Sequence, residues 1–216
     1  LGTPESVKRA VQESVAKIEH YPDVRCEALR EAISRFEQVN MEEILCGNGA
    51  AELFFAAVQA VWPQKALVIA PSFSEYEEAL RSVGAEVEYY YLCEEDNFQI
   101  RGDYVDKLSE EIDMIFLCNP NNPTGQTIDR DMLIKILDRC KKQNIVVILD
   151  ECFLEFLDEP NRYEMSDLRG EYPNLLIIKA FTKIFSMPGL RLGYAISSNQ
   201  DILEEMSWKL QKWNVS

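Results

Sequence analysis

The 216 residues carry 37 acidic against 22 basic side chains, a net charge of −15. Such a surface repels nucleic-acid backbones and anionic membranes, so an anionic ligand needs a local positive site. An apolar content of 47% beside 27% charged residues excludes a disordered or membrane-embedded chain and suffices for one sizeable α/β domain.

In chain order, Thr3-Pro4 reads as a helix start, with Thr3 as N-cap and Pro4 in the first turn. Val7, Ala10, Val11, Val15 and Ile18 follow at helical spacing, and the helix is expected to stop near Tyr21-Pro22. A second helix is predicted over 27–38, completing an N-terminal helical segment, residues 1–40, that leads into a large domain over 41–200. That domain opens with a short strand at 44–46, the turn Gly47-Asn48-Gly49 and an apolar helix to Val58. Strands at 66–70, 87–92, 114–118, 145–149 and 175–178 then alternate with helices at 76–83, near 104–108 and at 130–143. Apolar strands alternating with amphipathic helices predict a mostly parallel sheet covered on both faces. A last strand, 191–197, follows the tight turn Met187-Pro188-Gly189-Leu190. That link is too short for a crossover helix, so this strand is expected to run antiparallel. Residues 201–216 read as the truncated start of a further helix, reaching about Trp213.

Candidate chemistry falls just after strands, where ligands gather in open α/β sheets. Lys183 follows the buried strand at 175–178, in Lys179-Ala180-Phe181-Thr182-Lys183; an amine partly desolvated there is a nucleophile toward an aldehyde. Arg191 comes eight residues later, and a guanidinium fork suits a phosphate dianion. A nucleophilic lysine beside a phosphate-holding arginine suggests pyridoxal phosphate. Gly47-Asn48-Gly49-Ala50-Ala51-Glu52 lies at a strand-to-helix junction, where free amides bind phosphate, although such glycines also serve plain turn geometry. Asn119-Pro120-Asn121-Asn122-Pro123-Thr124-Gly125 is a stiff turn able to aim an asparagine amide. Asp150 can pair with a pyridine nitrogen or simply cap a helix, and Phe73 can stack on a planar cofactor or fill core.

The six cysteines are scattered without a CxxC pair, and His20 is the only histidine. They read as reduced, buried thiols of a cytoplasmic protein, with no metal site. The opening Leu1-Gly2, without a methionine, is expected of a fragment, and no signal peptide or membrane-length apolar run is present.

Together the motifs around Gly47, Asn119, Asp150 and Thr182-Lys183, with Gly189-Leu190-Arg191-Leu192-Gly193-Tyr194, resemble the class I/II aminotransferase family of pyridoxal-phosphate enzymes. The likeness is to its branch containing histidinol-phosphate aminotransferase and threonine-phosphate decarboxylase. It implies the three-layer α/β/α large domain of pyridoxal-phosphate-dependent transferases (fold type I), with one antiparallel strand. It places the small C-terminal domain, with its substrate-carboxylate arginine, outside this chain. By the same resemblance Lys183 condenses with the cofactor aldehyde and later shuttles the α-carbon proton. Asp150 binds the pyridine nitrogen, Asn122 the phenolic oxygen and Phe73 the ring face. Arg191, Thr182 and the amides of Ala50 and Ala51 hold the phosphate, and Tyr21 reaches the cofactor of a partner subunit in a homodimer. Two positions depart from the pattern: Phe153 stands where many relatives have a tyrosine, as among decarboxylase-like members, and Ala180 where a hydroxyl residue is common. The expected substrate is an amino acid, phosphorylated in that branch's manner, and the preferred activity is threonine-phosphate decarboxylation in cobalamin assembly. Histidinol-phosphate-type amino transfer is the alternative, and a non-catalytic ligand-sensing domain the alternative from another class. No nucleic-acid or membrane partner is expected.

Overall fold

A computed structural model describes residues 2–215; Leu1 and Ser216, named above at the two ends of the chain, lie outside it. The elements run α1 (Glu5–Ser14), α2 (Glu27–Glu37), β1 (Ile44–Gly47), α3 (Ala50–Val61), β2 (Lys65–Ala70), α4 (Glu75–Ser82) and β3 (Glu86–Tyr91). They continue with α5 (Tyr104–Lys107), β4 (Met114–Cys118), α6 (Arg130–Gln143), β5 (Val146–Asp150), β6 (Leu175–Ala180), α7 (Phe181–Ile184), β7 (Gly193–Ile196) and α8 (Gln200–Lys209).

The strands form one seven-stranded sheet in the order β1-β7-β6-β5-β4-β2-β3. Strands β3, β2, β4, β5 and β6 pair in parallel, while β7 runs antiparallel to both β6 and β1, as the short link predicts. The strand β4, Met-Ile-Phe-Leu-Cys, is buried at every position, and so is β6. Continuous apolar runs suit strands covered on both faces, where alternation would put a polar group into a core. Along β6, Leu175 and Ile177 enter one core with α2, α5 and α6, whereas Leu176 and Ile178 enter the other with α3, α4 and α8. The result is three layers. The edge strand β3 carries Glu86 and Glu88 outward, charges that discourage a further strand from pairing there.

Three local expectations fail. Thr3 does not cap α1: its hydroxyl donates to the carbonyl of Ser186 at 2.6 Å, so it ties the N-terminus to the turn before β7. Helix α1 stops at Ser14 and passes into a 3-10 turn, Val15–Lys17, because none of its residues is buried and its apolar stripe gains little packing among the described residues. Helix α8 ends at Lys209, short of Trp213. Of the cysteines, all free, Cys26 and Cys93 are half-buried and the other four buried.

Since β7 is antiparallel to β1 and β6, its first residue lies at the same rim as the last residues of β1, β2, β4, β5 and β6. One rim therefore gathers Gly47–Ala51, Phe73, Asn119–Gly125, Asp150–Phe153, Thr182–Lys183 and Arg191.

Candidate active site

Helix α3 begins without a side-chain cap at Gly49, whose φ of +85° favours a residue lacking Cβ. A Cβ there would lie 2.6 Å from a terminal nitrogen of Arg191, so the glycine lets the guanidinium lie against the helix start. A Cβ at Gly193 would sit 2.8 Å from the amide nitrogen of Ala50, so this glycine keeps that amide uncovered. Arg191 is exposed, its one hydrogen bond is a long 3.5 Å contact to the Pro188 carbonyl, and it forms no ion pair among the described residues. An uncapped helix start beside an unneutralised guanidinium is a dianion cradle. Thr182 is buried at the adjoining turn and its hydroxyl has no hydrogen-bond partner among the described residues.

Asp150 ends β5 and is 5% exposed. Its Oδ1 accepts the Cys152 N–H at 2.9 Å in a local turn but caps no helix, since the next one, a 3-10 turn at Leu154–Phe156, starts from Phe153, and its Oδ2 accepts the Tyr76 hydroxyl at 2.6 Å. Burial raises its pKa, opposed by those hydrogen bonds and by the nearby Lys183 charge. Phe73 is half-buried, edge-on to Tyr76 with centroids 5.6 Å apart.

Lys183 lies in the single turn of α7 and is exposed, with Nζ 5.5 Å from the Phe153 ring centroid. The expected desolvation of its amine is therefore not supplied by the packing of this chain, because the turn lifts the side chain off the end of β6. In the asparagine loop, Asn119 Oδ1 accepts the Ile128 N–H at 2.8 Å, and Asn121 Nδ2 donates to the Pro71 carbonyl at 3.1 Å and to Thr124 Oγ1 at 2.9 Å. Those two pin the loop, leaving the half-exposed Asn122 side chain without a hydrogen bond among the described residues. Tyr21 stands apart, 81% exposed and packed on Trp213 with ring centroids 4.8 Å apart.

Two features escape a reading of the sequence. Tyr76 appears there only as the first position of a predicted helix, three residues after Phe73; it lies in the first turn of α4, with Phe73 just before that helix. Lys179, in the same motif as Lys183, is 3% exposed, with Nζ 2.9 Å from both Glu37 and Glu164, 3.7 Å from Glu151 and 4.0 Å from Glu155. The Tyr194 hydroxyl donates to Glu37 as well. Among the described residues no group of His, Cys, Asp and Glu side chains could hold a metal ion, and no helix is long and apolar enough to cross a membrane.

A mostly parallel sheet carrying a dianion cradle, a buried aspartate and a lysine along one rim defines the large domain of a fold type I pyridoxal-phosphate enzyme. Residues 1–215 match the family described as aminotransferase class I and II. Threonine-phosphate decarboxylase of Salmonella typhimurium is 37% identical over 216 residues, covering 100% of this chain and 59% of that protein. Histidinol-phosphate aminotransferase of Ruminiclostridium cellulolyticum is 35% identical over 184 residues, 83% of this chain and 50% of that protein. The crystal structure of histidinol-phosphate aminotransferase from Clostridium acetobutylicum superposes with a TM-score of 0.90 at 32% identity, over 100% of this chain and 63% of that one. The chain belongs to the class I and II aminotransferase family, whose members depend on pyridoxal phosphate. It spans about three fifths of the length of the Salmonella relative.

Proposed function

We propose that this chain is the cofactor-binding domain of a cytoplasmic, homodimeric pyridoxal-phosphate enzyme that decarboxylates a phosphorylated amino acid, in the manner of the threonine-phosphate decarboxylase of cobalamin assembly. The observation that carries the cofactor assignment is the Arg191 guanidinium against the uncapped start of α3, on the rim that also holds Asp150 and Lys183. The reaction is favoured by the 37% identity to the Salmonella decarboxylase along the whole chain, and by Phe153 in place of a hydroxyl donor.

In this reading Arg191, the Thr182 hydroxyl and the amides of Ala50 and Ala51 hold the phosphate, and the residues present fit it. Asp150 keeps the proton on the pyridine nitrogen, the Asn122 amide donates to the phenolic oxygen, and Phe73 orients the ring by stacking. Pyridoxal phosphate, when bound, supplies an electron sink for charge released at the substrate α-carbon. Lys183 Nζ would be the amine that holds the cofactor aldehyde, and its ammonium would supply the proton that the substrate α-carbon takes up in place of the carboxylate lost as carbon dioxide. Phe153 cannot donate a hydrogen bond, so the phenolic oxygen has one partner fewer than in relatives with tyrosine there. Tyr21, exposed at the end of the α1 segment, reaches the phosphate site of the second subunit.

The test uses the full-length protein. Borohydride reduction with peptide mapping should place the cofactor on Lys183, and O-phosphothreonine should release carbon dioxide. Amino transfer to 2-oxoglutarate without carbon dioxide release would end the decarboxylase reading in favour of the histidinol-phosphate-type one, which the 35% identity to the Ruminiclostridium aminotransferase supports. A colourless protein that yields no reduced adduct would leave the non-catalytic, ligand-sensing reading.

Replacing Arg191 by glutamine should weaken pyridoxal phosphate binding about 10- to 150-fold, the equivalent of losing hydrogen bonds to a charged group worth about 1.5–3 kcal/mol. Lysine there should restore only part of the affinity, since it lacks the planar fork. Absorbance titration of the cofactor-free protein measures both.

A further inference from the structure

Tyr76 occupies a position that core packing alone does not explain. Its ring is fully buried, stacked on Phe116 with centroids 4.8 Å apart and edge-on to Phe54 and Phe73 at 5.1 and 5.6 Å. A phenylalanine would satisfy all of those contacts. What the tyrosine adds is one hydroxyl, 2.6 Å from Asp150 Oδ2 and 74 residues away along the chain.

We propose that Tyr76 is a positioning residue of the site: its hydroxyl fixes the plane of the Asp150 carboxylate and sets on which side of the aspartate–pyridine contact the shared proton rests. The inference rests on the cofactor reading above.

A carboxylate has four lone-pair directions. Cys152 N–H takes one on Oδ1 and the Tyr76 hydroxyl one on Oδ2, which stops the group rotating about its last bond. The directions left open are then the same in every molecule, and one of them serves the ring nitrogen. Tyr76 also touches Phe73, so one side chain registers the ring plate and the carboxylate against each other.

The electrostatic consequence has a definite sign. Burial pushes Asp150 toward its neutral form; the donors Tyr76 and Cys152 and the Lys183 charge push it back. Burial and the Asp150 charge hold the Tyr76 hydroxyl well above its ordinary pKa, so it stays protonated and acts only as a donor to the carboxylate. The remaining titratable groups facing this pair are the thiols of Cys118 and Cys152, which burial and Asp150 also hold protonated. With the hydroxyl in place Asp150 is a weak base and leaves the proton on the ring nitrogen. Without it the carboxylate becomes the better base and takes that proton.

Two replacements of Tyr76 test this in the full-length protein: phenylalanine, which deletes the hydroxyl, and 3-fluorotyrosine, which makes it a stronger donor. In cofactor-free protein, with carboxyl-labelled aspartate, the Asp150 titration midpoint should rise by about one pH unit in Tyr76→Phe and fall with fluorotyrosine. In protein loaded with ring-nitrogen-labelled pyridoxal phosphate, the nitrogen signal should move toward the unprotonated position in Tyr76→Phe, and kcat should drop about tenfold or more. Midpoints that stay together in all three proteins, or a nitrogen signal unchanged by Tyr76→Phe, would overturn the inference. Should Tyr76→Phe not fold, the fluorotyrosine midpoint alone decides, because that ring keeps its shape. If the wild-type protein takes up no cofactor, the cofactor reading fails, while the cofactor-free titration still reports whether Tyr76 governs Asp150.

Discussion

Replacing Lys183 with alanine is expected to lower turnover of the full-length protein by about 10⁴-fold, the upper range for losing a group that transfers a proton in the rate-determining chemistry. The same variant should unfold within about 0.5 kcal/mol of wild type, because substitutions on exposed surface away from special contacts stay within that range. The pairing of outcomes is what identifies the residue. Lys183 is exposed in the single turn of α7 and makes no ion pair among the described residues, so the fold depends little on its charge, which only helps offset the burial of Asp150. Turnover by single-wavelength assay and unfolding in urea check the two halves independently. A fall in both would mean that the alanine disturbs the turn after β6, and the residual activity would then report geometry instead of chemistry.

Replacing Lys179 with methionine is expected to do the reverse, costing about 3–5 kcal/mol of stability by leaving buried carboxylates without their cation. Lys179 Nζ is the common partner of Glu37, Glu151, Glu155 and Glu164, which come from α2 and from the segment after β5. Burial alone would lower the lysine's pKa, but the carboxylates of Glu151, Glu37 and Glu164 outweigh it and the net shift is upward. Glu151 is likewise pushed up, to about 8, by burial first, with Glu164 and Glu37 adding to it against the pull of Lys179.

The pH dependence follows from that sign. The folded protein binds the Glu151 proton more tightly than the unfolded chain, so its contribution to stability is complete below the ordinary value of 4.5 and is lost as pH rises through about 8. The slope over that window is at most about 1.4 kcal/mol per pH unit. Glu151→Gln should flatten it. The cost of Lys179→Met should be smaller at pH 6 than at pH 9, because at the lower pH Glu151 carries its own proton. Urea midpoints for wild type and the two variants across that range test all three statements, and a Lys179→Met cost that shrinks with rising pH would contradict the assignment.

These two lysines show where a sequence reading stops. Both stand in Lys179-Ala180-Phe181-Thr182-Lys183, and spacing along one stretch does not say which amine is buried. Strand β6 runs two residues further than its apolar letters suggest, through Lys179 and Ala180. A strand alternates its faces, so Lys179 points into the core beside α2 and meets Glu37, 142 residues earlier in the chain. The turn that follows then frees Lys183. In the same way Arg191 could be expected to hold an anion, but its place against Gly49 depends on β7 turning back between β6 and β1.

What the sequence determined by itself was whatever short-range chemistry encodes. Apolar runs marked the strands, helical spacing marked the helices, and glycine and proline marked the turns, so the alternation, the antiparallel last strand and the rim positions of Asp150, Asn122 and Lys183 were all legible. What only the tertiary structure decided was which side chains meet across the sheet: the cage around Lys179, the Tyr76 hydroxyl on Asp150, and the guanidinium over the start of α3. Each joins residues far apart in the chain, and such contacts follow from strand order and register, which no local pattern of residues carries.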